Sequence, residues 1–190
     1  ITAQKTAAIA SAQESEAARV ATETKAQSVL LQAALAKVEA ALQSGVPFAD
    51  PLMQLADAGI MIPAVLSDNA EAGLPTTAAL AESFAGPARA ALEESLRGNM
   101  GSTWPERVGS FLRSQTGARS LTPKEGDDPD AILSRANAAV FAGDLQTALA
   151  EIATLPEVAQ PALSDWVGRA NLRLNAQTAA ADLAAALGER

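Results

Sequence analysis

The sequence predicts an all-α protein: an antiparallel helical bundle with a long N-terminal helix that ends a coiled coil, and a short amphipathic helix. Three observations predict it. Hydrophobic residues make up 48% of the 190 positions while aromatics reach only 3%, so the apolar content is mostly alanine and leucine, which favour helix over sheet. Thr2 to Ser44 contains neither proline nor glycine. Beyond Ser44, proline and glycine punctuate the chain at helix-length intervals, with capping residues beside them.

Residues 1–44 read as one helix of about 60 Å at ~1.5 Å per residue, stopped by Gly45-Val46-Pro47. Leu31, Leu35, Val38 and Leu42 follow a 4-3-4 spacing and form the expected self-association seam, for a dimer or tetramer. Continued backwards, that register passes through small residues such as Ala17, Ala21, Thr24 and Ser28. This part reads equally as the frayed end of a coiled coil or as a solvated tether.

Residues 45–101 form a linker region of shorter helices. Pro51 to Ala58 carries Leu52 and Leu55, and Pro63 to Ala72 carries Val65 and Leu66. Gly73-Leu74-Pro75-Thr76 restarts the chain into a longer helix with Leu80, Phe84, Leu92 and Leu96. Gly86-Pro87 is expected to kink or break it, because proline removes a ladder hydrogen bond.

Residues 102–120 form a basic amphipathic helix. Thr103 and Glu106 make a T-x-x-E capping box with Pro105 in the first turn. Residues 121–190 form the last helical domain. Asp128-Pro129 opens a helix with Ile132, Leu133, Ala136 and Val140. Gly143-Asp144 turns the chain into a helix closed by Leu155-Pro156, and Pro161 opens the final one, with Leu163, Trp166, Val167, Ala170 and Leu174.

Composition excludes several functions. A net charge of −8 and a pI of 4.6 argue against a nucleic-acid partner, since phosphate contacts need clustered Lys and Arg. With no cysteine and no histidine there is no disulfide, no thiol chemistry, no Cys or His metal site and no Ser-His or Cys-His pair. No apolar run of about 20 residues is present to span a bilayer. Asp127, Asp128 and Asp130 do not match a calcium-loop spacing and read as helix capping. Ser110 and Ser114 lack a base. The sequence therefore reads as non-enzymatic, without cofactor or metal.

The stretch with most functional content is 102–120. Trp104, Val108, Phe111 and Leu112 share one helix face. Between Arg97 and Lys124 five basic residues, including Arg107, Arg113 and Arg119, stand against Glu106 alone, a local +4. Such a helix can lie in a membrane interface or pack in a core. Burying its four large side chains contributes roughly 6–12 kcal/mol in either setting, and each cation adds at most about 1 kcal/mol on an anionic leaflet.

The order Gly45-Val46-Pro47-Phe48, Gly73-Leu74-Pro75-Thr76, the Trp-started basic helix, Gly126-Asp127-Asp128-Pro129, Gly143-Asp144-Leu145, Leu155-Pro156 and Asp165-Trp166 resembles the C-terminal part of an alphaproteobacterial mitofilin-family protein, from about Leu31 onward. The resemblance implies a membrane-shaping scaffold on the periplasmic face of the bacterial inner membrane, anchored by a segment upstream of Ile1. It implies that Trp104, Arg107, Val108, Phe111, Leu112, Arg113 and Arg119 contact anionic lipid. It also implies that the last domain, from Asp128 to Leu187, offers an interface to itself or to other envelope proteins. The chain departs from the family in its scattered arginines and in Gly109 at mid-helix. A second reading comes from Ala131 to Ala170, whose helix–turn–helix cadence is that of a tetratricopeptide-like repeat; it makes the chain a periplasmic adaptor for a protein partner.

Overall fold

The structure, a computed structural model, describes the backbone of residues 2–98 and 126–188 and the side chains of residues 9–97 and 126–188. Every regular element among them is helical, so the fold is all-α. The order is α1 (Thr2–Ser44), α2 (Ala49–Asp57), α3 (Ala64–Ser67), α4 (Thr77–Gly98), α5 (Pro129–Ala142), α6 (Leu145–Ala153), a 3₁₀ turn (Gln160–Leu163) and α7 (Ser164–Gly188). These elements pack as two units, residues 1–74 with 176–190, and residues 75–175. The segment 121–190 therefore contributes to both.

In the first unit α1 runs without interruption until Gly45, whose N–H donates to the Ala41 carbonyl at 2.7 Å. Its buried residues are Ala34, Leu35, Val38, Ala41 and Leu42, one helix face by their spacing. α2 packs on α1 and buries Leu52 and Leu55, each worth roughly 1.5–3 kcal/mol relative to exposure. Phe48 is buried, and its N–H donates to the Ala70 carbonyl at 2.7 Å. That bond brings the turn after α1 against the chain after α3. Gly73 has φ +76, and any Cβ there would run into the Gly45 carbonyl oxygen. From α7 this unit receives Ala176, Ala179, Ala180 and Leu183, all buried.

The second unit is built on aromatic and branched side chains. Leu80 and Phe84 of α4 join Ile132, Val140, Ile152 and Trp166 in one core. The Trp166 and Phe84 rings meet edge-to-face with centroids 4.9 Å apart, a favoured aromatic geometry. Trp166 Nε1–H donates to the Leu80 carbonyl at 2.9 Å, which satisfies its one buried polar atom. The helix starts follow local chemistry: the Thr76 hydroxyl accepts from Ala79 N at 3.0 Å, and the Asp128 carboxylate from Ala131 N at 3.1 Å. Between α5 and α6, Gly143 takes the left-handed conformation (φ +81) that ends α5, and Asp144 caps α6.

Three local features differ from the sequence-based expectation. Of the kink or break expected at Pro87, the break does not occur: α4 continues through it. Its buried residues Leu80, Phe84, Ala91 and Ser95 lie on both sides of the proline, so tertiary packing holds the helix across the missing hydrogen bond. Beyond Pro87 the buried positions fall on Ala91 and Ser95, and Leu96 is exposed. The helix expected from Pro63 to Ala72 shrinks to α3, because Ser67 and Asn69 side chains bond the Ala64 and Val65 carbonyls and compete with the ladder.

Candidate interaction sites

Two sets of residues carry the functional expectation, and their placement differs. Trp104, Arg107, Val108, Phe111, Leu112, Arg113 and Arg119 lie outside the described residues. Arg97, at the edge of that basic stretch, is described: it pairs with Glu93 at 3.8 Å and with Glu94 on its own helix. Its charge is thereby balanced locally, and the window of +4 read from the sequence loses that member.

The self-association seam is described in full. Leu35, Val38 and Leu42 are buried within the single chain, and Leu31 is half-buried. The 4-3-4 spacing therefore marks the face by which α1 joins its own unit, and any contact of these three with another chain requires uncovering them first. N-terminal to Leu31 the helix changes character. Every residue from Ile9 to Leu30 is exposed, including Ile9 at 59%, Val20 at 52% and Leu30 at 69%. The hydroxyls of Ser15, Thr22, Thr24 and Ser28 donate back to carbonyls of their own helix, so these polar groups are satisfied without a partner. Arg19 sits between Glu16 at 3.4 Å and Glu23 at 3.8 Å, exposed pairs of small energetic value. The seven-residue register continued back from Leu42 misses Ile9 and Val20, because its steps land on Ser28, Thr24, Ala21, Ala17, Glu14 and Ala10.

Elsewhere the charged groups serve the fold. Arg135 on α5 donates Nε and Nη2 to the Glu151 carboxylate of α6 at 2.9 and 2.8 Å, and Nη1 to the Gly126 carbonyl at 2.7 Å. The bond to Glu151 raises its pKa further above the ordinary guanidinium value. The Thr147 hydroxyl and N–H, both donating to Asp144, hold that carboxylate below the ordinary range. Burial lowers the pKa of Arg173. Among the described residues no group of three or more carboxylates is placed to hold a metal ion. Asp128 is occupied as a helix cap. No described helix is long and apolar enough to cross a membrane. We find no protein-family model, curated protein or solved structure that matches this chain.

Proposed function

We propose that this chain is a non-enzymatic, membrane-organising scaffold of the mitofilin type. In this reading the 102–120 segment binds anionic lipid, and α1 links copies of the chain on the periplasmic face of the bacterial inner membrane. The observation that carries the scaffold reading is the exposure of α1 from Ile9 to Leu30, with Ile9, Val20 and Leu30 open to solvent. In proteins most helical stability comes from tertiary packing of an apolar face, so a long exposed helix continuing out of a packed unit is best explained by a partner. The lipid part is supported by the apolar face of Trp104, Val108, Phe111 and Leu112 beside Arg107, Arg113 and Arg119, in a chain whose net charge of −8 otherwise opposes an anionic surface.

Co-sedimentation with anionic and with zwitterionic liposomes tests the lipid contact. Wild type is expected to sediment with anionic vesicles only. At about 1 kcal/mol per cation, replacing Arg107, Arg113 and Arg119 by Glu costs about 3 kcal/mol or more, at least a 100-fold weaker partition. Phe111→Asp should abolish binding while circular dichroism stays unchanged. A wild type that leaves anionic vesicles in the supernatant, or a Phe111→Asp chain that unfolds, sinks the lipid reading.

The adaptor reading draws on the α5–α6 hairpin and on Phe141, which is 70% exposed at the end of α5. It is the weaker one, because the buried face of this hairpin is consumed by α4 and Trp166. A peptide groove needs several such pairs in series.

A further inference from the structure

Ile9, Val20 and Leu31 are spaced by eleven residues, and the next step of eleven is Leu42. Eleven residues make three α-helical turns plus about 20°, so on a straight helix these four side chains form one stripe. Its C-terminal end, Leu42, is buried by the chain itself, Leu31 is half-buried, and Val20 and Ile9 are exposed. The exposed stripe is thus the continuation of an interface the fold already uses.

The flanks of the stripe identify what covers it. On one side, by helical position, lie Glu16, Arg19, Glu23 and Leu30; on the other lie Ala10, Ala17 and Ala21. Lys5, Arg19 and Lys25 balance Glu14, Glu16 and Glu23, so Thr2 to Leu31 is neutral in a chain of net −8. A second copy can therefore approach here without the repulsion met elsewhere. Two parallel copies would set the charged flank of one against the alanine flank of the other. Two antiparallel copies set like flank on like flank. Glu16 and Arg19 then both lie beside Glu23 of the second copy, with the arginine placed to bridge the two carboxylates as it does within one helix, and Ala17 lies on Ala21 with the close approach small residues permit. The stripe is also symmetric about its midpoint: Ile9 meets Leu31, Gln13 meets Gln27, and Val20 meets itself.

We propose that the exposed part of α1 pairs antiparallel with α1 of a second copy, about a twofold axis at Val20. The pair places the two α2-bearing packed units at opposite ends of a shared helical rod. This deepens the self-association in the scaffold reading and rests on it, but it is tested without lipid, so failed pairing and failed membrane binding are separate outcomes.

Light scattering at tens of micromolar should return about 39 kDa, twice the 19.3 kDa chain. Val20→Glu should return the single-chain mass with its far-ultraviolet dichroism otherwise that of a folded helical protein. Because the chain has no cysteine, direction can be read by oxidative cross-linking. Ile9→Cys chains mixed with Leu31→Cys chains should form a mixed disulfide dimer, and Ile9→Cys chains alone should not. A monomeric wild type, or efficient cross-linking of Ile9→Cys chains with each other, overturns the proposal. The charge pair gives an independent check, made between chains because Arg19 and Glu23 also pair within one helix: Arg19→Glu chains alone and Glu23→Arg chains alone should each dimerise more weakly than wild type, and mixing the two should restore pairing.

Discussion

Trp166 is the side chain on which the second unit can be tested most directly. It is fully buried, meets Phe84 edge-to-face at 4.9 Å and donates to the Leu80 carbonyl at 2.9 Å. Trp166→Ala removes the ring from a core with no solvent access, which costs about 3–5 kcal/mol in comparable sites. Trp166→Phe keeps most of the apolar volume and loses the indole hydrogen bond, worth ~1 kcal/mol, plus a small void. The aromatic pair itself contributes about 0.5–1.5 kcal/mol, recoverable from a double-mutant cycle with Phe84→Leu. Urea unfolding followed by circular dichroism gives the stabilities. In a Trp104→Phe background, Trp166 is the one remaining tryptophan, and its fluorescence reports the second unit alone. A Trp166→Ala variant within about 1 kcal/mol of its parent would remove Trp166 from the centre of that core.

Two further outcomes follow from backbone and charge. Gly73→Ala places a Cβ against the Gly45 carbonyl oxygen at φ +76, so it should destabilise the first unit by more than ~1 kcal/mol in urea titration; an unchanged midpoint would show that the two turns do not meet. Asp144 has its pKa depressed by Thr147, so its stabilisation is present above the ordinary carboxylate value of about 3.9 and is lost as pH falls through the lower folded value. Asp144→Asn keeps a capping oxygen but no titration, so the gap in melting temperature from wild type should close as the pH is lowered from 7 towards 3. A constant gap would contradict the assignment.

Much of this fold is legible in the chain because its boundaries are set by chemistry within a few residues. Asp128-Pro129 starts α5, Gly143 ends it and Asp144 starts α6, each through a bond to a near neighbour. Trp166 also reads correctly as a core anchor, since so large an apolar residue in an alanine-rich helix has few alternatives. What is not legible depends on distant partners. The passage of α4 through Pro87 rests on Phe84 and Ala91 being held by the unit around them. The spacing of Leu31, Leu35, Val38 and Leu42 identifies a buried face but not its cover, which for three of the four lies in the same chain. The same rule hid Ile9 and Val20: a period of seven counted back from Leu42 misses a stripe that repeats every eleven.

Both units bury large side chains, but the first leaves much of α1 uncovered, and this bears on why α1 should be paired. The second unit encloses Trp166, Phe84, Leu80, Leu163 and several branched residues. The first has large buried side chains of its own in Phe48, Leu55 and Leu66 and takes Leu183 from α7, together with Ala176, Ala179 and Ala180, which allow close approach but bury little area each. Its larger contributors on α1 are confined to Leu35, Val38 and Leu42, in the last three turns of a helix that begins at Thr2. From Ile9 to Leu30 no residue is buried in the single chain, yet each must be ordered at a backbone entropy cost of about 1–2 kcal/mol. Intrahelical hydrogen bonds bring that cost close to balance in an alanine-rich helix, and the exposed Arg19 ion pairs add little. A second copy laid along Ile9, Val20 and Leu31 would add the missing burial. Association and helix formation are then linked by mass action: dilution should reduce helicity in α1 while leaving the Trp166 core intact.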